Sequence, residues 1–214
     1  MEQLPDIGTR VELVSSDKYF RDISIGLYAR ETAGGWLYRV HSYAGYDGAA
    51  ARLDSIVMAM KTLGGMDAGP TPGLLRFPCG AAHPLAVRRL FLQACKLDPT
   101  EAPAARPLSV VDRKTGLTAS AAHDGAGGYG ISASGEAAAE HGPRRIAAIR
   151  NGLVKLSGAA PDAAADGRFS FDCGRGHDAL VGLLLQNAPD VRVAMRELAA
   201  NAARGVLAAP GSQE

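Results

Sequence analysis

Three cysteines in 214 residues are too few for a disulfide framework, and any pairing scheme leaves one over. Such usage fits a reducing compartment. Charge of one sign is equally scarce: 23 basic residues face 22 acidic ones, for a formal net charge of +1. The densest basic spots, Arg88-Arg89 and Arg144-Arg145, sit inside amphipathic stretches. A surface that tracks phosphates needs a basic excess or stripe, so nucleic acid is not an expected partner. No run approaches the about 18 uninterrupted apolar residues of a membrane span, so no membrane partner is expected either. The opening residues MEQLPDIGTR lack the charged-then-apolar pattern of a signal peptide, and a cytoplasmic location is expected. With 47% hydrophobic and 21% charged residues, the composition is that of an ordinary globular protein.

What the chain does contain is a long similarity to itself. AGGWLYRV (33–40) and ARLDSIVMAMKTLGG (51–65) align with AGGYGISA (126–133) and RRIAAIRNGLVKLSG (144–158). One inserted residue later, LRFPCGAAHPLAVRRLFLQA (75–94) aligns with FSFDCGRGHDALVGLLLQNA (169–188). Matched positions include Gly34/Gly127, Arg52/Arg145, Ile56/Ile149, Phe77/Phe171, Cys79/Cys173, Gly80/Gly174 and His83/His177. A collinear series containing Phe, Cys, Gly and His points to a tandem duplication. The first repeat spans 1–97, a Pro/Ala-rich linker DPTEAPAARP spans 98–107, and the second repeat spans 108–214.

Each repeat reads as βββαβα. In the first, VELVSS (11–16) and DISIGLYARE (22–31) are strands, TAGG supplies a hairpin turn, and WLYRVHSYAG (36–45) returns as a third strand. Leu53, Ile56, Val57, Met60 and Leu63 recur at helical spacing before Gly64-Gly65 ends the helix. LLRFPCG is a fourth strand, and HPLAVRRLFLQACKL is a helix opened by proline. The second repeat gives LSVVDR, TGLTASAAHD and YGISASG as strands, a helix over 144–157, the strand GRFSFDCG, and a final helix from 178 that runs on through AMRELAANAARGVL. The expected class is therefore α+β: two two-layer βββαβα units related by a pseudo-twofold, with open sheet faces available for homo-oligomer contacts.

In element order this duplicated chain resembles the imidazoleglycerol-phosphate dehydratase fold, in which two such halves pack through their helices. At the start of each half's last helix, that family carries a double histidine followed by a glutamate. This chain has CGAAHPLAV and CGRGHDALV there. The resemblance implies the fold, and a strand-to-helix junction able to host a site. It does not imply dehydratase activity or manganese ligands.

The repeated phrases FPCGAAH (77–83) and FDCGRGH (171–177) carry the chemistry. Each places a cysteine at a strand end, a glycine that turns the chain, and a histidine at the mouth of a helix, where backbone N–H groups favour anions and thiolates. One reading is metal binding: Cys79, His83, Cys173 and His177 would complete a Cys2His2 tetrahedral site, with zinc the expected ion, if the two junctions meet. A second is catalysis, with Cys173 as a nucleophile and His177 as its base in acyl transfer or hydrolysis. A third is an anion pocket at Gly174, Arg175 and Gly176 for a small anionic molecule. The bland alternative is buried cysteines, turn glycines and cap histidines in a structural or assembly protein with no site. Function therefore reads as small-molecule or metal binding, with enzyme status open. In the segment 36–47, Trp36, Tyr38 and Val40 share one strand face, opposite Leu37, Arg39, His41 and Tyr43. His123, Asp124 and His141 read as surface residues, and Cys95 belongs to no repeated pattern.

Overall fold

Alternation builds both sheets. In the first half, Ile25, Leu27 and Ala29 on β2 (Ile23–Thr32) and Tyr38 and Val40 on β3 (Gly35–Ser42) are all buried, so period-two spacing directs them to one face. In the second half, Ala119 and Ala121 on β7 (Thr118–His123) and Tyr129 and Ile131 on β8 (Gly128–Ser134) do the same. These strands belong to a computed structural model that describes residues 9–13, 23–42, 48–71, 73–163, 165 and 167–203.

Completing the first sheet are β1 (Thr9–Leu13), β4 (Asp67–Ala68) and β5 (Leu74–Arg76), in the order β1-β2-β3-β5-β4. The second sheet has β6 (Ser109–Val111), β9 (Ala160–Pro161) and β10 (Arg168–Ser170), in the order β6-β7-β8-β10-β9. All pairings are antiparallel. The two sheets thus share one strand order, and residues 98–107 between the halves contain neither helix nor strand. The α+β class expected from the sequence holds. The two-residue strands β4 and β9 are additions, too short for any alternation to betray them.

Helices α1 (Ala49–Gly64) and α2 (Pro84–Lys96) cover the first sheet, while α3 (Ala138–Ser157) and α4 (Asp178–Leu185) cover the second. Their apolar stripes meet in one core shared by both halves, with Ile56, Met60, Leu63, Val87, Leu90 and Phe91 on one side and Ile149, Leu153, Leu156, Val181 and Leu184 on the other. The contact is reciprocal. Gly65, ending α1, backs onto Ala179 of α4, and Gly158, ending α3, backs onto Leu85 of α2. Helix-to-helix packing brings the first turns of α2 and α4 close together, and with them the two Cys-Gly-x-x-His junctions.

Several boundaries differ from the sequence expectation: the strands expected over LLRFPCG and GRFSFDCG end at Arg76 and Ser170, so Cys79 and Cys173 lie in the turns beyond them. Helix α3 begins at Ala138 rather than at 144 and carries Pro143 within it. Pro143 is the sixth helical residue, so the helix forgoes the bond an N–H there would make to the Ala139 carbonyl, and the alanine-rich residues before it extend the helix backward. The final helix is not continuous: after Leu185 comes a 3-10 turn (Ala188–Asp190) containing Pro189, then α5 (Val191–Ala203). A proline here removes an N–H the ladder would need. The expected continuation of that helix past residue 203, the end of the strand at 11–16, and Tyr43, Tyr46 and Asp47 lie outside the described residues.

A further difference concerns alignment across the hairpins. Tyr38 pairs with Leu75, two residues before Phe77, and Tyr129 pairs with Phe169, two residues before Phe171. Tyr38 and Tyr129 therefore occupy equivalent places. The sequence alignment had instead matched Tyr129 with Trp36, because the two hairpins differ in length: Thr32 pairs with Gly35 across a two-residue turn, whereas His123 pairs with Tyr129 across a longer one.

Candidate metal centre

Each Cys-Gly-x-x-His phrase folds as a β-turn feeding a helix. The Gly80 N–H donates to the Phe77 carbonyl and the Gly174 N–H to the Phe171 carbonyl, both at 2.9 Å. Gly80 and Gly174 take positive φ, 76° and 66°, which glycine adopts freely. Pro78 and Gly80 stand where a type I turn favours them. Beyond the turns, the His83 carbonyl accepts from the Val87 N–H and the His177 carbonyl from the Val181 N–H, so both histidines are helix N-caps by backbone.

Neither imidazole caps its helix. Each instead points its Nε2 at the cysteine four residues earlier, 3.1 Å from Cys79 Sγ to His83 and 3.2 Å from Cys173 Sγ to His177. The two pairs meet: the four donor atoms of Cys79, His83, Cys173 and His177 all lie within 4.8 Å of one another. A tetrahedral ion bound by two sulfurs and two nitrogens at ordinary zinc bond lengths has donor-to-donor edges of about 3.3–3.8 Å. The cluster is thus of a size to close on one ion, and these four residues could hold a metal.

Aromatic rings brace the imidazoles. The His83 and His177 ring centroids are 4.6 Å apart. Phe77 lies edge-on to both, at 5.1 and 5.6 Å, and Phe171 likewise, at 5.3 and 4.8 Å. Each phenylalanine therefore supports the histidine of its own half and that of the other. His83 also holds a left-handed backbone, φ 46° and ψ 55°, the sole non-glycine with positive φ among the described residues. Such a conformation costs roughly 1–2 kcal/mol and accumulates where a ligand must be aimed.

Two tyrosines to which the sequence assigned no part in the site lie behind the quartet. The His177 N–H donates to the Tyr129 hydroxyl at 2.5 Å, and that hydroxyl donates to Asp178 Oδ1 at 2.7 Å. The Tyr38 hydroxyl donates to the carbonyl of Ala82, the residue before His83. Burial pushes both phenols above their ordinary range. Sequence patterning set Tyr38 on the strand face it shares with Trp36 and Val40, but the unequal hairpins hid its kinship with Tyr129.

Burial also sets the protonation states. It lowers His177 to about 4, helped by the neighbouring His83 and opposed by Asp178. It lowers His83 too, against the pull of Asp172. The Cys79 thiol is raised, first by burial and further by Cys173, with the Ala81 amide working in the opposite direction. Neutral imidazoles are the form that coordinates a metal. The same burial disfavours the imidazolium form of His177 that a thiolate–imidazolium pair would need.

The remaining expected site residues fall around this centre. Arg175 is exposed at its edge, and Gly176 packs against the His123 ring, which a Cβ would strike at 2.7 Å. The amides of Gly174 and His177 are already bonded within the protein, to Phe171 and Tyr129. Cys95 is buried in α2, away from the quartet. A cavity of about 570 Å³ lined by Arg89, Arg113, Asp190 and Glu197 contains none of the quartet. No described helix is long and apolar enough to cross a membrane. No protein-family model matches the chain, and neither a curated protein nor a solved structure matches it.

Proposed function

We propose that this chain is a zinc-binding protein in which Cys79, His83, Cys173 and His177 coordinate one tetrahedral ion, two ligands from each half. The observation that carries the reading is the convergence of all four donor atoms within 4.8 Å. Sulfur and imidazole together suit zinc, and four protein ligands leave no open position, so the centre is structural rather than catalytic. The ion supplies a cross-link: two junctions about 94 residues apart in sequence are tied at one point. The two halves as copies of one ancestral unit would explain why each gives the same ligand pair.

A nucleophile–base pair at Cys173 and His177 would also place sulfur and nitrogen near 3.2 Å. A second such pair inside the same cluster favours a shared ion over catalysis, because an active site needs one nucleophile.

Elemental analysis of purified protein tests the proposal. About one equivalent of zinc per chain is expected, along with the intense visible bands of tetrahedral cobalt after cobalt exchange. Less than half an equivalent after reconstitution with zinc under reducing conditions would refute it.

A further inference from the structure

We infer that the zinc centre is also a redox latch: a peroxide oxidises its two sulfurs to a Cys79–Cys173 disulfide and expels the metal. The inference rests on the zinc reading and adds a regulation to it. Its basis is the orientation of the quartet. His177 is only 7% exposed, and both imidazoles are packed among Phe77 and Phe171. Cys79 and Cys173 are half-buried, as is His83, so only His177 is closed off from solvent. Both sulfurs are thus within reach of a small oxidant.

The sulfurs differ in protection. The Ala81 N–H donates to Cys79 Sγ at 3.4 Å, and an amide bonded to a thiolate dampens its nucleophilicity. Cys173 Sγ lies instead 3.8 Å from the Arg175 carbonyl oxygen, an acceptor that offers a thiolate no such shield. Cys173 is therefore the sulfur attacked first. Its thiolate displaces hydroxide from the peroxide as the O–O bond breaks, leaving a sulfenic acid.

The Cys79 thiolate then attacks that sulfur, the S–O bond breaks, and a second hydroxide leaves. Two thiolates have lost two electrons to form one S–S bond, and hydrogen peroxide has been reduced to two waters using two protons from solvent. With sulfurs starting within 4.8 Å, bonding at about 2.05 Å requires a combined approach of less than about 3 Å. Gly80 and Gly174, each next to a cysteine and in a left-handed turn, give the backbone room for it. Two imidazoles alone do not retain zinc.

The test uses zinc-loaded full-length protein, and a Cys95→Ala variant, titrated with hydrogen peroxide. Zinc release is followed with a metallochromic dye, free thiols by counting, and the cross-link by non-reducing peptide mapping. The expected result is about one zinc released per disulfide formed, the disulfide joining Cys79 to Cys173, and recovery of zinc binding after reduction by a dithiol. Cys95→Ala behaves identically, since Cys95 is buried and its thiol is pushed up to about 12 by burial. Zinc retained while peroxide is consumed, sulfinic acids in place of the disulfide, or a disulfide involving Cys95 would each overturn the latch and leave the zinc reading standing. Protein that never takes up zinc overturns both, whatever its thiols then do.

Discussion

Replacing Tyr129 with phenylalanine isolates the contribution of one hydroxyl to the centre. The ring stays, still stacked on Phe169 at 5.3 Å, while the oxygen that accepts the His177 N–H and donates to Asp178 is lost. A buried N–H left without a partner costs about 1–3 kcal/mol. Asp178 is exposed and recovers a partner from water, so its loss adds about 0.5–1 kcal/mol. The expected total is about 1.5–4 kcal/mol. Tyr38→Phe is the matched control, because its hydroxyl only donates to the half-buried Ala82 carbonyl, and about 1 kcal/mol is expected. In urea unfolding of metal-stripped protein, with a slope of about 2 kcal/mol/M, Tyr129→Phe lowers the midpoint by about 1–2 M and Tyr38→Phe by about 0.5 M. In zinc-loaded protein Tyr129→Phe further weakens metal binding by about 10–100-fold, the usual effect of disturbing a partner behind a ligand. Equal midpoint shifts for the two variants would refute the assignment of Tyr129 to the His177 backbone.

Further predictions concern the turns and the pH. A Cβ at Gly35 would stand 2.6 Å from the Gly80 carbonyl oxygen, and one at Gly127 2.3 Å from that of Gly174. Gly35→Ala or Gly127→Ala should therefore displace a ligand turn and loosen zinc in a competition titration, whereas Gly116→Ala, with positive φ but open space around it, should cost only the backbone strain and leave zinc affinity unchanged. His177 is held below its ordinary value, at about 4, so between about 6.5 and 4 the unfolded chain takes up a proton that the folded one refuses. Metal-free protein should lose stability as pH falls through that window, seen as a falling thermal midpoint, and His177→Phe should flatten the dependence. A midpoint that rises on acidification over the same window would contradict the burial of this imidazole.

Much of the fold was legible because each local pattern agreed with the next. The Ile25–Leu27–Ala29 alternation, the spacing from Ile56 to Leu63 and the proline opening α2 each name one element, and the recurrence of the phrase FxCGxxH shows where the order repeats. The four ligands were legible as residues but not as a cluster. Their meeting depends on how α1 and α2 dock on α3 and α4, a packing between distant segments that periodicity does not encode. Tyr129 was illegible for a different reason: its partner is a backbone amide at His177, and an alignment that keeps the glycines of the hairpins together sets the tyrosines apart. The start of α3 was misjudged because proline signals a helix opening without saying whether the helix began a turn earlier. Pro189, by the same rule, signalled the break that the apolar run of α4 obscured.

The division of the ligands between the halves orders events during synthesis. Cys79 and His83 leave the ribosome about 94 residues before Cys173 and His177, and at a few residues per second the first pair waits for seconds with half a coordination shell. Two donors do not compete for zinc against the cell's own thiols, so during that wait the proposed ion cannot hold the first junction. If zinc binds as proposed, it is captured only when the second junction has been made and docked. A chain that stops before that junction, or whose halves dock out of register, would then stay metal-free.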